Sequence, residues 1–234
     1  MAVIKNVDRV ANYVKLDHVL VSCTNKIGLV SNEGMGKDFP EDGLLGFLSR
    51  TNPNITFIST GNTYSLINHA TNLNVIEMSE YTGYPEMKTG LVKSLHPKIH
   101  AGILAHVYTP EDYEFLQENE IPTIDAVIVN FYDLKSKIDD NADFESLRQA
   151  IDIGGPTMCH ASRKAFLSTA IIVDPNQYPD FISHLSKENG SVSLEYRLQL
   201  AKEASSSFTS LMNDVNTIFQ NAKYSDLQEA YQIE

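Results

Sequence analysis

The stretch GLVKSLHPKIHAGIL, Gly90–Leu104, gathers Lys93, His96, Lys98 and His100 in a chain whose formal net charge is −12. Basic side chains collected in an acidic protein suit three tasks: holding an anion, ligating a metal, or moving a proton. His96 and His100 stand four residues apart, the spacing of a metal-binding pair on a helix. Pro97 lies between them, and no cysteine or acid sits at helical spacing to complete a site, so no metal is expected. Basic residues scattered along a solvated loop are the plainer reading. The apolar spacers Val92, Leu95 and Ile99 argue instead for a packed segment.

Four further stretches carry groups that could meet a ligand. SCTNKIG, Ser22–Gly28, offers the hydroxyls of Ser22 and Thr24, the amine of Lys26 and a turn at Gly28, which together suit phosphate oxygens or an ordinary polar turn. STGNT, Ser59–Thr63, offers Ser59, Thr60 and Thr63 around Gly61 at the start of a helix, which suits an anion or a plain helix cap. Two such loops at one sheet edge favour a shared phosphate site. NFYD sets Asn130 and Tyr132 at the end of a strand, where a tyrosine either packs or reaches a ligand. IDIGGPT follows Asp152 and Ile153 with the pair Gly154 and Gly155, which permits close backbone approach or a tight turn capped by the acid. Lys164 lies eight residues beyond Pro156, about 12 Å along a helix, with a side chain that leans back toward the N-terminus.

These groups need a scaffold. Short β-branched or apolar runs predict strands at Asp17–Cys23, Ile55–Ser59, Asn74–Met78, Ile124–Tyr132 and Ser168–Asp174. Runs apolar on both faces fit a parallel sheet covered by helices. Helices are expected over Leu44–Arg50, Thr63–Ala70, Pro110–Glu118, Phe144–Ala150, Pro156–Phe166 and Pro175–Leu185, with one or two more in Val192–Phe219. Alternating strands and helices define an α/β class with a mostly parallel sheet and right-handed crossovers. In such a fold ligands sit beyond the carboxyl ends of the strands, where the stretches above fall. The chain reads as one domain over residues 1–234, with an N-terminal extension at 1–16 and a polar, mobile surface loop at 31–43.

Composition removes several function classes. The acidic balance argues against a nucleic-acid groove, which needs many lysines and arginines. No run approaches the ~20 apolar residues of a membrane span. The N-terminus lacks the apolar core and cleavage site of a secretory signal. Cys23 and Cys159 are too few for a disulfide framework, so a cytoplasmic setting is expected.

Five segments in order, EMSEYTGYPEM, VKSLHPKIHAGIL, IDAVIVNFY, IDIGGPTM and IIVDPNQY, resemble the IMP cyclohydrolase domain. That domain is the N-terminal half of the bifunctional purine-biosynthesis protein whose other half is the AICAR transformylase. The resemblance runs from about Val19 to about Phe219 and implies a three-layer architecture shared with methylglyoxal synthase. It implies dehydrative ring closure of 5-formamidoimidazole-4-carboxamide ribotide to inosine monophosphate, with no cofactor. The catalytic residues it implies are Lys93, Tyr132, Asp152 and Lys164, all present. The implied substrate-binding set is Ser22, Thr24, Lys26, Gly28, Ser59, Thr60, Gly61, Thr63, His96, Asn130, Ile153, Gly154 and Gly155. The implied partners are a purine ribotide and, since the family is dimeric, a second copy of the chain.

The chain departs from the family pattern at particular places. Thr24, Asn25 and Ile27 stand in a loop that usually reads S-D-K-T-G, and Asn62 replaces a glycine. Leu91 occupies the place of an arginine two residues before the active lysine. Asp133 and Leu134 replace proline and phenylalanine, and the loop at 31–43 is longer than the family's connection. These departures bear on phosphate geometry more than on the catalytic positions. Two other readings stay open: a non-catalytic nucleotide sensor, and a methylglyoxal synthase-like lyase acting on a small phosphate.

Overall fold

A computed structural model describes residues 9–85, 87, 90–105 and 108–233. Its first half contains β1 (Tyr13–Lys15), β2 (His18–Cys23), α1 (Gly43–Thr51), β3 (Thr56–Ser59), α2 (Gly61–Ala70), β4 (Val75–Glu77), α3 (Met78–Thr82) and α4 (Pro97–Leu104). The second half contains α5 (Pro110–Glu118), β5 (Ala126–Asn130), α6 (Leu134–Asp139), α7 (Phe144–Ala150), α8 (Gly154–Lys164) and β6 (Ala170–Ile172). A 3-10 turn (Pro175–Gln177), α9 (Tyr178–Lys187), β7 (Ser191–Ser193), α10 (Leu194–Asn221) and α11 (Tyr224–Ala230) complete it.

Five strands form a parallel sheet in the order β4-β3-β2-β5-β6. The apolar runs dictate this. Val19, Leu20 and Val21 on β2 and Ala126 to Val129 on β5 are buried on both faces, as a helix-covered parallel strand must be. Each such aliphatic side chain contributes about 1.5–3 kcal/mol when fully buried. The chain moves outward from β2 to β3 and β4, then returns to the other side of β2 with β5. The change of direction opens a crevice beside the ends of β2 and β5, the usual ligand position of this architecture. This is the α/β arrangement expected, with helices flanking a parallel sheet.

Several elements differ from expectation. The segment around His96 is not a loop but α4, because Pro97 takes the first helical position, where a missing N–H is harmless. The third strand ends at Glu77, and Met78 begins α3 instead. Both glycine-bearing turns are drawn into helices: α2 starts at Gly61 and α8 at Gly154, each two residues earlier than expected. Part of the N-terminal extension is ordered as β1, which pairs antiparallel with β7 in a second, two-stranded sheet. In the loop at 31–43 the Phe39 side chain is buried in the main core.

Arg197 on α10 explains how the periphery is fastened. Its side chain is fully buried. It donates to the carbonyls of Ala11 at 2.9 Å, Asn12 at 3.4 Å, Phe166 at 3.0 Å, Leu167 at 3.0 Å, and also Val192. A buried guanidinium is tolerable only when its donors are used in this way. No helix among the described residues is long and apolar enough to cross a membrane.

Candidate active site

A cleft of about 760 Å³ opens at the carboxyl ends of β2, β3 and β5. Ser22 lines it from the end of β2, Thr24 and Lys26 from the loop that follows, and Thr60, Gly61 and Thr63 from the start of α2. Lys93 enters from the turn before α4, Asn130 and Tyr132 from the end of β5, and Asp152, Ile153, Gly154 and Gly155 from the start of α8. Thus five chain segments far apart in sequence converge, as the strand order requires.

Lys93 reaches across this cleft toward α2. Its Nζ lies 3.9 Å from where a Cβ on Gly61 would stand, and its Cε lies 3.2 Å from the same point on Gly90. Both glycines have positive φ, +56° and +75°. The turn between Gly90 and Lys93 also holds Val92 at φ 70°, a conformation disfavoured for a β-branched residue. The amine therefore meets the N-terminal end of a helix, where orphan N–H groups favour an anion.

Asp152 lines the same cleft. Burial pushes its carboxyl above the ordinary range, while the backbone N–H groups of Gly155, Gly154 and Ile153 pull it back. Its Oδ1 accepts from the Gly154 N–H at 3.1 Å. The glycine pair makes this fold-back feasible. A Cβ on Gly155 would lie 2.5 Å from Asp152 Oδ2, and one on Gly154 would lie 2.4 Å from Ser94 Oγ. A carboxyl whose protonated and ionised forms are brought closer in energy suits proton exchange with a ligand.

Several expected ligand groups turn out to be held by the fold itself. Asn130 Oδ1 accepts the N–H groups of Thr24 and Asn25, both at 2.8 Å, and its Nδ2 donates to the Asn25 carbonyl at 2.7 Å. Thr63 Oγ1 donates to the Cys23 carbonyl at 2.9 Å and accepts the Cys23 N–H at 3.2 Å. Both residues line the cleft, yet their main work is to shape the loop after β2. Ser59 does not line it: its hydroxyl is buried and donates to Val21 O at 2.8 Å. Gly28 is also away from the cleft, packed between Met35 and the Tyr178 ring.

His96 and Lys164 do not line the cleft. His96 is the N-cap of α4, its Nδ1 accepting the Lys98 N–H at 3.1 Å. It faces a neighbouring cavity of about 340 Å³ rather than the cleft, and that cavity shares Leu91, Val92, Lys93 and Leu95 with it. Lys164 is exposed at the far end of α8 and does not line the cleft. The reason is helical rise: ten residues separate it from Gly154, about 15 Å of axis. The rest of the basic cluster is dispersed, with Lys98 over the Tyr81 ring and His100 bonded to the Ser94 backbone.

Sequence reasoning passed over some cleft residues. Ser94, Gln149, Ala150 and Ile151 line it, Ser94 next to Lys93 and the others within three residues of Asp152. Cys23 lines it too, but burial pushes its thiol up to about 12, so it is no nucleophile. Leu91, 61% exposed, forms an apolar wall where the resembled family carries a cation.

Fold and cleft together define an α/β domain of the methylglyoxal synthase-like class. The family model described as "MGS-like domain" matches residues 48–157, and the chain carries that domain. The bifunctional purine biosynthesis protein PurH of Clostridium botulinum is 41% identical over 164 residues, covering 70% of this chain. PurH of Clostridium beijerinckii is 36% identical over 194 residues, 82% of this chain. The chain is a PurH homologue, consistent with the IMP cyclohydrolase domain, and spans 32–38% of the length of these relatives. A crystal structure of ForH superposes with a TM-score of 0.71 at 26% identity, covering 87% of this chain and 96% of that one.

Proposed function

We propose that the chain is an IMP cyclohydrolase, closing 5-formamidoimidazole-4-carboxamide ribotide to inosine monophosphate and water. The carboxamide nitrogen bonds to the formyl carbon, the formyl C–O bond breaks, and the oxygen leaves as water with two protons from the substrate nitrogens. Both reacting groups belong to one molecule, so the cleft has only to hold the reactive rotamer and move protons. In this reading the ribotide phosphate meets the loops at Thr24–Lys26 and Thr60–Thr63. Asp152 takes the proton from the carboxamide nitrogen, Tyr132 donates toward the formyl oxygen, and Lys93 stabilises the developing oxyanion.

The observation that carries the reading is that Lys93 and Asp152 line one cleft together with both anion-type loops. The test is conversion of the formyl ribotide, followed by absorbance, in the wild type and in Lys93→Ala, Asp152→Asn and Tyr132→Phe. Turnover near the wild-type rate in the first two variants sinks the assignment. A second reading, a ribotide-binding domain without turnover, draws support from Lys164 lying off the cleft and from Leu91. Tight binding of inosine monophosphate with no conversion of the formyl ribotide decides for it. In either reading we expect pairing with a second copy, checked by sedimentation velocity.

A further inference from the structure

The segment between β2 and α1 leaves the anion-facing loop at Leu29 and comes back to it. The N–H groups of Leu44 and Leu45 donate to the carbonyls of Gly28 at 2.9 Å and Leu29 at 3.0 Å. A Cβ on Gly43 would lie 2.6 Å from the Leu29 carbonyl and from Ser31 N, so backbone touches backbone where the loop closes. Residues 30–42 are thus a closed loop of the Ω kind. Inside it, turns join Met35 N to Asn32 O at 3.0 Å and Phe39 N to Gly36 O at 3.4 Å. Phe39 roots the loop in the core.

Two of its residues press on the end of the anion-facing loop. Met35 is half-buried against the core. Its Cγ lies 2.6 Å, and its Sδ 2.8 Å, from where a Cβ on Gly28 would stand, with the Tyr178 ring 3.3 Å from that point. Gly28 has φ +72°, so only glycine fits between them without strain. Beside it, Ile27 Cγ2 lies 2.9 Å from the corresponding point on Gly34. At the other end of the same loop, Asn130 holds Thr24 and Asn25. Lys26 stands between the two holds, its Nζ donating to Thr24 O at 3.2 Å.

We propose that the loop of residues 30–42 is a positioning element for the ligand's anionic group, and that Met35 is its positioning residue. This rests on the ribotide reading above. Met35 does not line the cleft; it acts through Gly28, fixing the turn that aims Thr24 and Lys26 inward. A thioether fills such an irregular gap without branching. Loss of this contact loosens one flank of the anion site while Lys93 and Asp152 stay on their own segments. The effect therefore falls on ligand affinity and not on the chemical step.

The test compares wild type with Met35→Ala, Met35→Leu and Ile27→Ala. It measures Kd for inosine monophosphate by calorimetry, KM and kcat for the formyl ribotide, and Tm for each variant. Met35→Ala and Ile27→Ala are expected to raise Kd and KM about tenfold with kcat within about twofold, because small displacements of a positioning group weaken binding steeply. Met35→Leu, close in volume, is expected to restore wild-type affinity. Unchanged Kd in Met35→Ala and Ile27→Ala, or a loss confined to kcat, overturns the inference. So does a loss that leucine fails to rescue. A wild type that binds neither inosine monophosphate nor the ribotide overturns the reading beneath it as well. Binding by wild type with unaltered variants overturns the positioning role alone.

Discussion

Asn130 and Asn25 exchange hydrogen bonds in both directions, Oδ1 accepting at 2.8 Å and Nδ2 donating at 2.7 Å. One side chain at the end of a buried strand thereby fixes the backbone of the loop that carries Lys26. Asn130→Asp keeps the acceptor but sets a carboxylate oxygen against the Asn25 carbonyl. We expect about 1–3 kcal/mol of lost stability, read by urea denaturation, and a raised KM for the ribotide. A variant with wild-type stability and KM removes Asn130 from this role.

Asp152 is predicted to be a site residue that costs stability. Burial holds its carboxyl pKa above the ordinary value of 3.8. A raised folded-state value means its contribution is fully present below the unfolded pKa and is lost as pH rises through the folded one. Asp152→Asn should therefore melt no lower than wild type at neutral pH, with an advantage that grows as pH rises above 3.8. The same variant is expected to lose about 10²-fold or more in kcat. Thermal melts followed from acid to neutral pH check the first part. A variant that becomes less stable than wild type with rising pH contradicts it.

The sheet was legible because its strands are continuous apolar runs, and the cleft was legible because its loops follow those strands. What the residues alone could not reveal was pairing. Ser59, Thr63 and Asn130 looked like ligand groups from their type and place, but the carbonyls and N–H groups that occupy them come from β2 and its loop, 38 to 106 positions away. Pro97 starts a helix that was not among those expected, since its effect depends on whether it falls at the first turn or later. Strands β1 and β7, three residues each, have no pattern long enough to register. Lys164 lies off the cleft because a helix carries a residue away from its own N-terminus faster than a lysine leans back.

His184 gives the second sheet a pH dependence. Its Nε2 accepts the Ser193 N–H at 3.1 Å, and its ring stacks on Tyr196 at 4.1 Å between centroids. Desolvation lowers its pKa below 6.5, against the charges of Glu188 and Asp180 and with that of Lys187. The folded state thus takes up a proton less readily than the unfolded chain. Stability from this group is complete above 6.5 and is lost as pH falls through the lowered folded value. Protonation also removes the acceptor that caps β7 at the start of α10. Denaturation midpoints measured from pH 8 down to 5, about the range of imidazole titration, should drop more in wild type than in His184→Gln. Parallel curves for the two proteins refute this.

Gly155 isolates the geometry of the site from the stability of the fold. It lies in the first turn of α8 and its φ is not positive, so alanine is allowed there. Alanine exceeds glycine in helix propensity by about 1 kcal/mol, which favours the variant helix. The new Cβ, however, would stand 2.5 Å from Asp152 Oδ2 and 3.2 Å from Val129 Cγ2. Val129 is locked in the central sheet, so the carboxylate is the group that must move. Gly155→Ala should then keep its melting temperature within a few degrees and lose about 10²-fold in kcat, the scale of a misplacement near 1 Å. Gly154→Ala adds a second probe, because its Cβ would meet Ser94 Oγ at 2.4 Å and push on the turn that carries Lys93. If both alanine variants turn over the formyl ribotide at the wild-type rate, the Asp152 carboxylate is not held in its working position by the glycine pair, and its role as proton acceptor falls with it.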